Sequence, residues 1–209
     1  MINFLLHALK SFRRCFSRSK PWVIFCMVVI GFIGSAEMVG VTSFCRFWGL
    51  GENGYDMLLH FFRSSAWSLS SVVSCWQAFV ISQKKLVTID DRIVLQGDHT
   101  YVPKDGQRMP GVVTLHQDSE TQSKPSYFRG HCWGAIVGLA GSLCAPFGIP
   151  LNLGIHQGFV HIGNAKSKEN TTMGPRIFQM ALDFCLKQNV ICILTLDAFF
   201  SKQSTVQFG

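Results

Sequence analysis

The sequence predicts an α/β protein (α+β overall), in which a helical N-terminal domain precedes a mixed sheet with one crossover helix. Apolar residues recur at helical spacing through residues 1–80, whereas residues 92–162 hold apolar and glycine-rich runs that are typical of strands. An amphipathic segment, 175–189, then separates these runs from a last short apolar run, 190–200. A helix in that position allows the last strand to return parallel to an earlier one.

The composition indicates a folded protein with an excess of positive charge. Of its 209 residues, 48% are hydrophobic and 15% are charged, which excludes a disordered chain. The net charge of +7 favours a polyanionic partner, either nucleic acid or an anionic membrane surface. The eight cysteines form no C-x-x-C pair and mostly lie in apolar runs, so we predict small buried side chains in a reducing compartment. Residues 1–20 lack the pattern of a secretory signal, and we expect a cytoplasmic protein.

Two apolar segments raise the alternative of an integral membrane protein. Residues 22–36 follow a cluster of cationic side chains but are shorter than the ~20 residues that span a bilayer. Residues 132–149 overlap a series of glycines at the four-residue spacing of transmembrane helix pairs, namely Gly130, Gly134 and Gly138. The same segment contains Pro146 and many small residues, which fit a glycine-rich pair of buried strands. We favour the strands over a membrane span.

The N-terminal residues predict two helices. Residues 1–20 mix apolar with cationic side chains, as expected for a helix that lies on DNA or faces solvent. Residues 21–36 are mostly apolar and predict a buried helix. Further along, the polar and cationic segment 81–91 predicts the boundary between two domains, 1–88 and 89–209.

The segment between residues 41 and 66 has the pattern of two helices joined by a tight turn. Apolar side chains fall on one helical face in residues 41–48 and again in residues 58–66. The glycine-rich stretch 49–54 lies between them and predicts the turn. As a helix–turn–helix, this segment would let one helix enter a DNA groove with Arg46, His60 or Arg63 at hand. An ordinary helical hairpin is the alternative.

The second domain opens with a strand that delivers an acid. Residues 92–98 are largely apolar and end at Asp98, as expected for a central strand of a sheet. The loop 103–126 is rich in Pro, Gly, Lys and Ser, and loops of this length are usually functional. Two strands interrupted by glycines are then predicted, at 127–145 and 148–162. Residues 145–148 are the predicted turn between them.

Residues 175–189 form the clearest predicted helix. Pro175 suits its first position and Asn189 suits its exit. One apolar stripe runs along it, formed by Ile177, Met180, Ala181, Phe184 and Cys185. The β-branched run 190–200 then predicts a buried strand that delivers a second acid, Asp197.

The order of these elements predicts how the two acids meet. Three meandering strands, a crossover helix and a strand that returns beside the first form the opening of an incomplete ribonuclease-H-like sheet. In that topology the first and last of these strands are neighbours. Asp98 and Asp197 would then lie close enough to hold a metal ion together.

Residues 97–134 and 194–201 resemble the catalytic core of DDE-type insertion-sequence transposases. In that family an Asp that ends the first strand is followed by a basic M-P-G loop with L-H-Q, an S-K-P-x-Y-x-x-G-H-x-W-G strand and a later strand ending in L-D-A. The matching loop and strand residues here are Lys104, Gly106, Arg108, Met109, Pro110, Gly111, Leu115, His116, Gln117, Ser123, Lys124, Pro125, Tyr127, Gly130, His131, Trp133 and Gly134. Segments within residues 40–69 are also similar to the family's N-terminal helical region.

The resemblance implies metal-dependent cleavage and transfer of DNA strands at the ends of an insertion sequence. Asp98 would bridge two divalent ions, Mg²⁺ or Mn²⁺, and Asp197 would hold one of them. Two ions about 3.5–4 Å apart stabilise both the attacking and the leaving oxygen of the reaction. The implied partners are DNA and a second copy of the chain on paired DNA ends, in a protein associated with the nucleoid.

The resemblance also assigns DNA contacts to the loop between the strands. These contacts would come from Lys104, Arg108, Lys124 and His116, near the phosphate that is cleaved. The histidines leave alternatives open, because each could orient a carboxylate or a water or serve a structural role. For His131 the structural role is favoured.

The chain departs from the family at its third acid. The family carries a Glu on a helix well past the second Asp, and residues 198–209 contain no acid. We therefore predict a transposase fragment that neither cleaves nor joins DNA by itself, and whose incomplete core makes it poorly soluble. The alternative is a non-catalytic DNA-binding or regulatory remnant that acts through the helical domain and the basic loop.

Overall fold

The computed structural model divides the chain into two compact units, Met1–Ser82 and Gln83–Gly209. It describes residues 2–36, 40–104, 106, 109–116, 127–142, 144–156 and 173–197. The predicted domain boundary at residue 88 lies too late in the chain, because the residues before it already belong to the sheet. Leu86 pairs with Ala140, and the Val87 N–H donates to the Leu139 carbonyl at 2.7 Å.

The described part of the first unit is helical. Its helices are α1 (Ile2–Ser11), α2 (Ser19–Gly34), α3 (Val41–Phe47), α4 (Glu52–Arg63) and α5 (Leu69–Ser82), with a 3-10 turn, Phe12–Cys15, between α1 and α2. Three indole N–H groups donate to backbone carbonyls of other segments: Trp22 to Leu9, Trp48 to Met27 and Trp67 to Phe61. The large apolar rings thus pack without leaving these donors unsatisfied.

Helix α2 differs from the buried helix that its sequence predicts. Ile24 and Val28 pack into the core, whereas Phe32 and Ile33 are 55% and 66% exposed. Within the described residues, no helix has both the length and the apolar character needed to cross a membrane. The second apolar segment forms strands, as the sequence analysis favoured.

The turn between α3 and α4 forms because Gly49 adopts a left-handed conformation. Its φ is 58°, and the Leu50 N–H donates back to the Cys45 carbonyl at 2.9 Å, which closes the end of α3. Helix α4 begins at Glu52, so the predicted turn extends too far. Gly54 lies inside α4, where a Cβ would collide with the Leu50 side chain.

The second unit is a mixed sheet with one crossover helix, so the fold is α/β as predicted. Its elements are β1 (Thr88–Ile89), β2 (Arg92–Pro103), β3 (Val113–His116), β4 (Tyr127–Ser142), β5 (Ala145–Ile155), α6 (Met173–Gln188) and β6 (Cys192–Leu196). The strands β2, β4 and β5 form an antiparallel meander, and β6 pairs parallel with β2 on its other side. The short strand β1 pairs with β2, and the short strand β3 pairs with β4. The predicted order and directions of the main strands are therefore confirmed.

The turn between β4 and β5 comes earlier than its sequence predicts. Strand β5 starts at Ala145, and Pro146 pairs with Gly141 inside the ladder. Gly141 has φ 95°, and the Ala145 N–H donates to the Ser142 hydroxyl at 3.2 Å. Among the described residues β5 pairs only with β4, so Pro146 costs no second hydrogen bond.

Helix α6 covers one face of the sheet with the predicted apolar stripe. Ile177, Ala181 and Phe184 are buried, and Asn189 ends the helix with φ 53°. The stripe packs where Gly97 has no side chain, since a Cβ there would meet Ile177. Every second residue of β4 from Gly130 to Ala140 is buried on this face, which explains the four-residue glycine spacing.

Candidate active site

The two predicted acids lie beside each other in sequence register: Asp98 is part of β2, and Asp197 directly follows the neighbouring parallel strand β6. Strands β2 and β6 pair in register from Ile93 with Cys192 to Gly97 with Leu196. One residue further, the register places Asp98 opposite Asp197. Paired strands lie about 4.8 Å apart, so the backbones of the two residues are neighbours if the pairing is continued by one residue. Both side chains are exposed.

The sequence predicts that Asp98 ends its strand, and this prediction is wrong. Strand β2 continues beyond it to Pro103, because the ladder with β4 runs on to the pair between Pro103 and Gly130. Only the ladder on the other side, with β6, stops beside Asp98. The carboxylate is therefore held on a strand fixed by pairing with β4, and its Oδ1 accepts from the His99 N–H at 2.7 Å.

Around Asp98, strand β2 carries exposed polar side chains on the face opposite α6. Alternation along β2 places Gln96, Asp98 and Thr100 on this face, and all three are exposed. On β6 the Thr195 hydroxyl donates to the Leu95 carbonyl at 2.8 Å, which adds a side-chain bond between the two strands below the acids. Both carboxylates are exposed in the described structure.

The donor set fits a hard cation that keeps part of its own water shell. Mg²⁺ takes octahedral oxygen ligands and is usually held by one or two carboxylates together with water and substrate phosphate. Asp98 and Asp197 supply two such groups. Within the described part of the chain, no cluster of three or more His, Cys, Asp or Glu side chains could hold a metal.

The predicted DNA-contacting residues fall partly outside the described structure. Lys104 directly follows β2, and its N–H donates to the Arg129 carbonyl at 3.0 Å, so the start of the basic loop is fixed to β4. His116 is the last residue of β3 and pairs with Tyr127. Arg108 and Lys124 lie outside the described residues.

His131 has the contacts of a structural residue. Its side chain is only 5% exposed, and its Nε2 lies 2.9 Å from the Pro110 carbonyl oxygen. This contact ties the M-P-G segment of the loop to β4. The register with β2 puts His131 on the same face of the sheet as Asp98, and burial against the loop backbone is consistent with the structural role that the sequence favoured.

A second buried histidine, His156, was not predicted from the sequence. Its N–H extends the β5 ladder by donating to the Cys132 carbonyl at 2.8 Å, and its ring packs over Gly134. Burial, together with the charges of Arg176 and His99, lowers the pKa of His156 to about 4. The ring is therefore neutral at pH 7. A single histidine after an apolar strand gives no periodic signal, so only the pairing with β4 could have revealed it.

The chain matches no protein-family model, and no curated protein is significantly similar to it. Assignment of a function therefore depends on the site geometry and on the motif residues themselves.

Proposed function

We propose that this chain is a fragment of a DNA transposase with a ribonuclease-H-like core, in which Asp98 and Asp197 hold a divalent cation at a DNA phosphate. The observation that carries this proposal is the parallel register of β2 and β6. Continued by one residue, this register would bring the two acids side by side on the face opposite α6. Without that register the motif residues would have no common site.

Three features support the proposal. The strand order and the crossover helix match the opening of a ribonuclease-H-like sheet. The M-P-G loop and the G-H-x-W-G strand resemble those of insertion-sequence transposases. The net charge of +7 suits a polyanionic substrate. The strand order comes from the structure, whereas the motif residues and the net charge come from the sequence.

The proposed chemistry divides between the cation and the chain. A bound Mg²⁺ or Mn²⁺ would stabilise negative charge on the phosphate during hydrolysis or strand transfer. Asp98 and Asp197 would hold the cation, and the rigid pairing of β2 would fix its position. Lys104, with Arg108, Lys124 and His116 as proposed partners, would neutralise and orient the DNA backbone. Homo-oligomers on paired DNA ends are part of the same proposal.

A non-catalytic DNA-binding or regulatory remnant is the second candidate. It is favoured by one specific observation, since the described residues offer two acids on this face and no third metal-ligating group beside them. A two-ion reaction needs more ligands than two carboxylates provide. We therefore expect DNA binding without turnover from the chain alone.

A nicking assay on supercoiled DNA with Mg²⁺ or Mn²⁺ tests the catalytic part. We expect no nicking above background from the wild-type chain. Turnover that disappears in Asp98→Ala would contradict the expected inactivity and establish a complete nuclease site.

Binding of Mn²⁺, followed by electron paramagnetic resonance, tests the site itself. We expect weak binding by the wild-type chain that is lost in Asp98→Asn. The matched control is Asp91→Asn, because Asp91 is an exposed acid of the β1–β2 turn with φ 61°, a conformation that asparagine tolerates. Equal Mn²⁺ binding by both variants would refute the proposed metal site.

A further inference from the structure

The helical unit contains a cleft of about 830 Å³ that is separate from the pair of acids. One wall is formed by residues 17–24, at the start of α2. The other is formed by α4 and residues 64–66. The Ser17 N–H donates to the Ala66 carbonyl at 3.2 Å, which fixes the two walls to each other, and the buried Phe61 adds an apolar surface.

The charged residues that line this cleft are all cationic. They are Arg18, Lys20 and Arg63, with His60 beside them, and the lining includes no Asp or Glu. All four side chains are exposed, so their charged ends are accessible to a ligand. Across the described parts of the chain, no salt bridge engages Arg18, Lys20 or Arg63. Asn53, Ser64 and Ser65 add neutral hydrogen-bonding groups.

Two of these cations stand where helix electrostatics disfavours them. Arg18 occupies the position before α2, Lys20 lies in its first turn, and that turn contains no acid. A helix N-terminus carries partial positive charge and free N–H groups, so acids are normally favoured there. Arg63 approaches from the end of α4, where a cation is favourable. An anion in the cleft would offset the repulsion among all three charges.

We propose that this cleft binds the phosphate backbone of DNA as a second contact, independent of Asp98 and Asp197. The choice of DNA as the source of the phosphates rests on the proposed function, whereas the anionic character of the ligand follows from the cleft itself. The volume is typical of sites that hold a small ligand, about 300–1,000 Å³, and suits a short stretch of backbone. The contacts are to phosphate, so binding does not depend on base sequence.

The test measures DNA affinity of the full chain by fluorescence anisotropy at several salt concentrations in EDTA. The probe is a short labelled duplex of arbitrary sequence. The test variant is Arg18→Gln/Arg63→Gln. Its matched control, Lys10→Gln/Arg14→Gln, removes the same charge from exposed residues outside the cleft. We expect roughly tenfold weaker binding by the test variant at moderate salt, because two close charge–charge contacts are lost.

The salt dependence separates specific contacts from net charge. We expect the slope of log K against log salt to fall by about two in the test variant and to change little in the control. Equal losses in the two variants would overturn the proposal. The circular dichroism signal of the helices verifies that both variants fold. The single variant Lys20→Gln provides a second, milder measurement, and we expect it to lower the slope by about one.

A second arm identifies the source of the phosphate. If pyrophosphate raises the melting temperature of the helical unit while the duplex binds both double variants equally, the ligand is a free phosphate compound and the DNA assignment is wrong. A negative result for the cleft would leave the Mn²⁺ experiment unaffected, because the anisotropy assay in EDTA contains no free divalent cation. The two proposals can therefore fail separately.

Discussion

The two faces of the sheet are formed by the same strands but differ in what covers them. On the face covered by α6, Leu95, Ile136 and Ile177 are fully buried, and glycines allow neighbouring groups to approach the backbone. On the opposite face Val94 and His131 are buried too, but the β2 side chains around Asp98 are exposed, as is Asp197. Because side chains alternate along a strand, adjacent residues have different surroundings, and a change on one face need not disturb the other. Substitutions on one face should change folding, and substitutions on the other should change ligand binding.

The largest effect is expected from Gly134→Ala on the covered face. A Cβ at Gly134 would overlap three atoms of the His156 ring, so the ring or the strand must move. Overpacking of this kind costs typically 1–3 kcal/mol, and we expect about 3 kcal/mol here because the ring is buried. Amide hydrogen exchange of a β2 peptide should then accelerate about a hundredfold.

Gly154→Ala is the matched control for this prediction. Gly154 is the pairing partner of Gly134 on β5, and a Cβ there meets nothing within 4 Å. We expect a change within about 0.5 kcal/mol. A peptide from α4 supplies a reference within each sample, because it belongs to the other unit. Similar exchange rates in the two variants would show that the glycine stripe is not needed for packing.

The second-largest expected effect is a loss of stability at acidic pH, caused by a histidine that packs on the covered face. The pKa of His156 is about 4 in the folded chain, below the usual 6.5, mainly because of burial. The unfolded chain therefore binds the proton first, so stability is fully present above pH 6.5 and declines as the pH falls towards 4. Between pH 7.5 and pH 5 we expect a loss of about 2 kcal/mol from this group.

The variant His156→Gln checks the source of this pH dependence. Glutamine does not titrate, so the same exchange measurement at pH 7.5 and pH 5, corrected for intrinsic rates, should show a smaller pH effect. The variant is expected to be less stable at pH 7.5, because its side chain fills the buried space differently. An unchanged pH effect would assign the acid sensitivity to another group.

The parts of the fold that could be predicted from the sequence depend on local periodicity. The apolar stripe of α6 and the β-branched run after it are continuous patterns, and a helix between them favours a parallel return. That reasoning placed β6 beside β2, and with it Asp197 beside Asp98. The order of the meander followed in the same way from its glycine-punctuated runs.

The parts that could not be predicted depend on pairing between distant residues. Strand β2 extends past Asp98 because β4 continues to pair with it, and no residue near Asp98 indicates this. His156 is buried because it meets Gly134, and the cationic cleft forms because residues 17–24 meet α4. Motifs identified the acids of the open face, whereas these features required the register and the packing.

The smallest effect on stability is expected from Asp98→Asn on the open face. The side chain is exposed, and its only described hydrogen bond is to the N–H of the next residue. We expect a change within about 0.5 kcal/mol in the exchange of β2 amides without metal. Saturating Mn²⁺ should slow this exchange in the wild-type chain, because a ligand that binds only the folded state stabilises it. The variant should lose that response while Asp91→Asn keeps it. A variant that is destabilised as strongly as Gly134→Ala would mean that Asp98 supports the fold, and the separation of the two faces would be wrong.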